Sequence, residues 1–150
     1  MSDNQNMNAA GIVKDVVFDK GLPGFRHLTR FILDQSNSDM PFAVLQSLEN
    51  KDTWFLIGDP FVFYQDYEFE LTQGEKDELG VDAADDIAVW GVITYKGSIH
   101  NATINLQAPV VINRVRGRGK QIILNDTRYS IRHPLVLKPS EKGGGNLAGA

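Results

Sequence analysis

"TINLQAPVVIN", residues 103–113, runs directly into "RVRGRGKQIIL", residues 114–124. In the first piece Ile104, Leu106, Ala108, Val110 and Ile112 fall on one side of an extended chain, and Thr103, Asn105, Gln107 and Asn113 fall on the other. Pro109 breaks this alternation. It has no amide hydrogen to give to a ladder, so it belongs at an edge, a bulge or a bend. A long strand bent at such a point is how an antiparallel sheet turns a corner and closes on itself. In the second piece Arg114, Arg116, Arg118 and Lys120 recur at every second residue, with Gly117 and Gly119 on either side of Arg118 where a chain can reverse. The stretch reads as two strands joined by a basic turn.

Outward from this point the chain continues in period two. "IVKDVVF" (12–18), "PFAVLQSL" (41–48), "WFLIG" (54–58), "IAVWGVITY" (87–95), "QIIL" (121–124) and "YSIRHPLVL" (129–137) are β-prone runs bounded by turn residues. "GLPGF" holds Pro23 and Gly24, the pair a type II turn places at its centre. In "DPFVFYQDYEFEL" (59–71) Phe61, Phe63, Tyr67, Phe69 and Leu71 share one phase and Asp66, Glu68 and Glu70 the other, as in a half-buried strand or two strands in line. "GSIHN" (97–101) reads as a hairpin turn. Only "TQGEKDELGVDAADD" (72–86) breaks the pattern, with a helical turn at Glu75–Leu79 stopped by Gly80. About eight to ten strands and one or two short helical turns describe an all-β, small antiparallel β-barrel-like domain, whose closure removes exposed sheet edges. The domain is placed at 11–137, with flexible termini at 1–10 and 138–150, where polar, small and glycine residues offer little apolar surface to offset ordering entropy.

A chain of 150 residues with 42% hydrophobic and 23% charged residues suits one globular domain. With no cysteine there is no disulfide, thiolate metal site or cysteine nucleophile. The N-terminal "MSDNQNMNAAG" lacks the cations and apolar run of a signal peptide, and no apolar run reaches the ~18 residues of a membrane helix. A cytoplasmic protein without a membrane segment is expected. His27, His100 and His133 show no ligand spacing, and neither a G-x-S-x-G elbow nor a phosphate loop is present. Acids are plentiful, but none is singled out for catalysis, so no enzyme, metal or cofactor is expected.

Charge is more informative. Residues 66–86 hold nine acids (Asp66, Glu68, Glu70, Glu75, Asp77, Glu78, Asp82, Asp85, Asp86) against Lys76 alone, whereas 114–142 hold eight bases against Asp126 and Glu141. The basic hairpin 114–120 could hold an RNA phosphate chain, which would make the protein a small β-barrel RNA binder. Only Tyr129 lies near it as a stacking platform, and the net charge is -4. A solvated hairpin with cations as edge gatekeepers is the better reading, and direct nucleic-acid binding is not expected.

"FDKGLPGF", "PFAVLQSLENKDTWFLIGDPFVFYQDYEFEL" and "ATINLQAPVVIN…QIIL…YSIRHPL" together resemble the flagellar assembly factor FliW family, over about Val17 to Leu135. The resemblance implies a β-barrel-like fold without enzymatic activity. It implies that the protein binds flagellin in the cytoplasm and the RNA-binding translational regulator CsrA, sequestering CsrA to relieve repression of flagellin mRNA translation. The acidic segment has the sign that suits a basic regulator, so Asp66, Glu68, Glu70 and Glu78 are expected to face it. Flagellin, whose terminal segments are apolar when folded, is expected on aromatics turned away from the core. Trp54 and Tyr64 are the candidates, with core packing as the alternative use of each. A monomer is expected, since the alternation leaves no long apolar patch uncovered.

Overall fold

The structure is a computed structural model and describes residues 12–36 and 39–135. The flexible ends expected at 1–10 and 138–150 lie outside the described residues. Among the described residues nine strands run in the order β1 (Ile12–Val17), β2 (Arg30–Gln35), β3 (Phe42–Ser47), β4 (Trp54–Gly58), β5 (Ile87–Lys96), β6 (Ser98–Ile104), β7 (Val110–Asn113), β8 (Arg118–Gln121) and β9 (His133–Pro134). Between β4 and β5 lie two short helices, α1 (Pro60–Phe63) and α2 (Gln73–Leu79), and a 3₁₀ turn at Ala84–Asp86.

β1 to β4 form an antiparallel meander, in registers such as Val16↔Phe31, Leu33↔Leu45 and Ala43↔Ile57. β4 pairs with β5, β5 with β7, β7 with β8, and β8 returns to β1 in parallel at Val17↔Arg118, so these seven strands close a barrel. β6 and β9 extend the sheet beyond β5. At "GLPGF" Phe25 donates to the Leu22 carbonyl at 2.7 Å, and Gly24 takes φ +85°, the turn anticipated there.

Two apolar clusters share β5 and β7. Inside the barrel are Val16, Phe18, Phe31, Leu45, Ile57, Trp90, Val110 and Ile112, with the Phe18 and Phe31 rings edge-on at 5.4 Å. On the outer face, beneath the 61–71 segment and α2, lie Tyr67, Leu79, Ile93, Ile104, Leu106, Val111, Ile122 and Leu124. β7 is therefore buried on both faces, which is why 110–113 is apolar without a break until Asn113.

Several expectations change. The five residues assigned to one face of 103–113 are all buried, but Ile104 and Leu106 belong to the outer cluster while Val110 and Ile112 fill the barrel. The chain does turn a corner, between β6 and β7. From Ile93↔Ile104 to Trp90↔Val110 the ladder advances three residues along β5 and six along the other strand. The excess is taken up at Asn105, whose side-chain carbonyl accepts from Gln107 N at 3.0 Å and Ala108 N at 2.9 Å. An asparagine turn, with Pro109 at its far end, sets the bend.

Residues 59–71 are not a strand. Asp59 caps α1 by accepting from Phe61 N at 2.9 Å, and Pro60 occupies the first turn, where its missing N–H is not needed. The chain after α1 turns at 65–66, where Tyr67 N donates to the Tyr64 carbonyl at 3.0 Å, and then runs on with no ladder among the described residues. It still alternates, with Tyr67 buried and Phe69 and Leu71 half-buried, while Asp66, Glu68 and Glu70 are exposed. "GSIHN" is mostly strand β6, reversal occurring at Gly97 with φ +76°. In "QIIL" only Gln121 belongs to β8, and of the described residues in the 129–137 run just His133–Pro134 join a ladder. "RFILDQ" forms β2, unread because its alternation is short and starts on a charge. Gly119 is not a turn residue. It lies in β8 against Phe18, whose ring carbons would stand 2.6 Å from an added Cβ.

Candidate functional site

The acidic stretch 72–86, an arm that carries α2 and the 3₁₀ turn, and the basic hairpin 114–120 are packed on each other. α2 begins with a reciprocal capping box: Glu75 N donates to Thr72 Oγ1 at 3.1 Å, and Thr72 N donates to Glu75 Oε1 at 2.9 Å. It ends at Gly80, φ +70°, where the absence of a Cβ leaves room for the Arg116 side chain across the helix end.

Asn113 ties the two segments together. Its side chain is fully buried, and its Nδ2 donates to the carbonyls of Leu79 (2.9 Å) and Gly80 (3.0 Å). Its Oδ1 accepts from Val115 N (2.9 Å) and Arg116 N (3.1 Å), folding the hairpin turn. The sequence alternation put this residue on the solvent side. The signal that could have found it is an asparagine ending a strand just before a turn, the same arrangement as Asn105.

Around this amide each hairpin cation meets the arm. Arg114 donates to the Asp85 carbonyl, Arg116 pairs with Asp82 at 3.1 Å, Arg118 donates to the Glu78 carbonyl at 3.4 Å, and Lys120 pairs with Glu78 at 3.2 Å. Glu78 also meets Lys20 at 3.2 Å. The hydrogen bonds from Lys120 and then Lys20 hold the Glu78 carboxyl below the usual carboxylate range.

On the other side of the arm, between 61–71 and 81–89, lies an open groove of about 730 Å³. Phe69, Leu71, Val81, Ile87 and Val89 give it an apolar floor, and three acids, Glu68, Glu70 and Asp82, stand along it with the cation Lys76. Tyr67 anchors the segment. Its hydroxyl donates to the Leu106 carbonyl at 2.8 Å, its ring meets Tyr129 edge-on at 4.8 Å, and burial pushes its ionisation up.

Of the residues singled out in the sequence, the structure brings Glu68 and Glu70 together on this groove, with Asp66 on the same exposed segment but not lining it. Glu68 reaches Arg128 at 3.4 Å, while Arg128 is held mainly by Asp126 at 2.7 Å. Glu78 faces the opposite side of the arm. Tyr64 is half-buried against the outer cluster; its hydroxyl donates to the Pro134 carbonyl, and its ring lies edge-on to His133 at 5.2 Å. Trp54 stands apart on β4, 52% exposed and paired in register with Gln46. Among the described residues no group of three or more His, Asp or Glu is placed to hold a metal ion. Nor is any helix among them long and apolar enough to cross a membrane.

The structure thus defines a small closed β-barrel with two short helices, an electrostatically matched arm and hairpin, and an apolar, acid-lined groove on its outer wall. The sequence model of the family described as FliW protein matches residues 3–135. A flagellar assembly factor FliW of Clostridium kluyveri is 40% identical over 120 residues, covering 80% of this chain and 83% of the relative. The flagellar assembly factor FliW of Bacillus subtilis is 32% identical over 120 residues, covering 80% and 84%. A crystal structure of the flagellar assembly factor FliW superposes with a TM-score of 0.76 at 33% identity, covering 85% of this chain and 89% of that one. The chain belongs to the FliW family of flagellar assembly factors.

Proposed function

We propose that this protein works by binding rather than catalysis: it holds flagellin in the cytoplasm, and it sequesters a CsrA-type RNA-binding regulator and so relieves repression of flagellin mRNA translation. The observation that carries the regulator half of this reading is the pair of exposed acids Glu68 and Glu70 beside an apolar floor, with Asp66 exposed on the same segment. An RNA-binding surface is basic, and an acidic row attracts it while repelling phosphates from the same place. For flagellin, Trp54 supplies a large exposed aromatic of the kind that anchors interfaces, and the half-buried Tyr64 is the second candidate.

A calorimetric titration with flagellin, CsrA and a flagellin-leader RNA tests the reading. Both proteins are expected to bind the wild type. The triple variant Asp66→Lys, Glu68→Lys, Glu70→Lys is expected to lose the regulator while keeping its melting temperature and flagellin. Undiminished capture of the regulator by that variant at low salt would sink the assignment.

A further inference from the structure

A second cavity, of about 200 Å³, lies on the far side of the arm between the 19–26 turn and β8. Four cations line it, Lys20, Arg26, Arg118 and Lys120, against two acids, Asp19 and Glu78. Lys20 Nζ reaches Glu78 Oε2 and Lys120 Nζ reaches Glu78 Oε1, both at 3.2 Å, so one carboxylate bridges the two lysines. Lys120 is the more enclosed of the pair, its side chain 27% exposed against 71% for Lys20. No role for this cavity follows from the groove or from partner capture.

We propose that the cleft is a binding site for a phosphate dianion, and that Glu78 is its resident internal competitor. With Glu78 withdrawn, four cations face Asp19 alone, a surplus that suits a phosphate dianion better than a single carboxylate. The two carboxylate oxygens each take one lysine, as two oxygens of a phosphate would. Arg26 and Arg118 also line the cleft, and a guanidinium is a planar, multi-donor head suited to phosphate oxygens. Glu78 is able to yield because it is exposed and lies on the last turn of a short helix held at its other points by Asn113 and the buried Leu79. Occupation by phosphate would therefore free the Glu78 carboxylate toward solvent.

The test is calorimetric titration of the full chain with inorganic phosphate and pyrophosphate, and with oligouridylate carrying or lacking a 5′-phosphate. Glu78→Gln is expected to bind phosphate about tenfold more tightly than wild type, because a like charge leaves the site. Adding Lys120→Met or Lys20→Met to that variant is expected to reverse the gain. Glu70→Gln, which makes the same change of net charge at the other groove, is expected to leave phosphate affinity unchanged. If Glu70→Gln gains as much as Glu78→Gln, or if the lysine variants retain the gain, the cleft is no site and the proposal is overturned. If no variant binds phosphate while circular dichroism shows each one folded, it is equally overturned. Competition by 5′-phosphorylated RNA, but not by its hydroxyl counterpart, identifies an RNA end as the source. Binding of pyrophosphate without such competition identifies a small phosphorylated molecule.

Discussion

Replacing Asn113 by alanine removes four hydrogen bonds from one buried point. The lost partners are the carbonyls of Leu79 and Gly80 and the amides of Val115 and Arg116. At about 1 kcal/mol net for each bond, the upper sum is about 4 kcal/mol. Val115 and Arg116 are exposed, so their amides can turn to water and recover part of this. The Leu79 carbonyl is buried and recovers little. A loss of about 3 kcal/mol results, or a fall in melting temperature on the order of 10 °C. Thermal denaturation followed by far-UV circular dichroism measures it, and hydrogen exchange at residues 76–80 should show α2 opening before the barrel. A folded variant that loses less than about 1 kcal/mol would refute the view that this amide joins arm to hairpin. Asn113→Asp separates donor from acceptor. It keeps the acceptor for the two amides but turns a carboxylate toward two carbonyl oxygens, which raises its folded-state pKa above the unfolded value of about 3.9. Its penalty relative to wild type should therefore be smallest below that pH and deepen as pH rises through it.

Gly119→Ala forces a Cβ to 2.6 Å from the buried Phe18 ring and should cost about 2 kcal/mol in urea denaturation. Gly74→Ala, inside α2 with its nearest neighbour at 3.9 Å, should cost nothing or stabilise slightly. Glu78, held below its usual range by Lys120 and Lys20, contributes stability that is present above its unfolded pKa and lost as pH falls through the lower folded value. Glu78→Gln should flatten that acid limb by less than about 1 kcal/mol, because the carboxylate is 43% exposed; an unchanged limb in acid titration would show the pairs contribute nothing. Trp54→Ala should leave the melting temperature nearly unchanged and weaken flagellin binding, whereas Tyr64→Ala should lower the melting temperature by losing the Pro134 hydrogen bond and packing on His133. A Trp54→Ala variant that melts early, or that binds flagellin as wild type does, would remove that residue from the interface.

Much of the barrel was legible from β-prone runs of strand length at β1, β3, β4 and β5, helped in β3 by the alternation of a half-buried strand. α2 was legible from its stop, Gly80 after Glu75–Leu79, while its start at Gln73, marked by the Thr72–Glu75 capping box, went unread. The 59–71 segment shows where that signal fails. A chain laid over an apolar floor also alternates, with Tyr67, Phe69 and Leu71 inward, although no strand among the described residues pairs with it. The asparagine-proline chemistry of the connections carried the missing information: Asp59–Pro60 starts α1, and Asn105 and Asn113 each fold the turn that follows them. These are single side chains acting on their own backbone, and a period count does not register them.

The charge reading was half legible for a different reason. Counted along the sequence, 66–86 and 114–142 look like two opposed patches, each with its own partner. Folding sets Glu78 and Asp82 against Lys120 and Arg116, so that part of each patch is the other's counter-charge. Exposed pairs of this kind contribute little to stability, and the cohesion of arm and hairpin rests on Asn113 and on the burial of Leu79. What folding leaves over is smaller than the sequence total and better placed. The carboxylates of Asp66 and Glu70 have no hydrogen-bond or ion-pair partner among the described residues, and they stand on the one stretch between α1 and α2 that no ladder holds. Acids left unpaired beside apolar side chains gain most from an incoming basic surface, because that partner need not first displace an internal cation. By the same reasoning the paired acid Glu78 is the poorer contact for such a partner, and its use lies in the cleft it now fills.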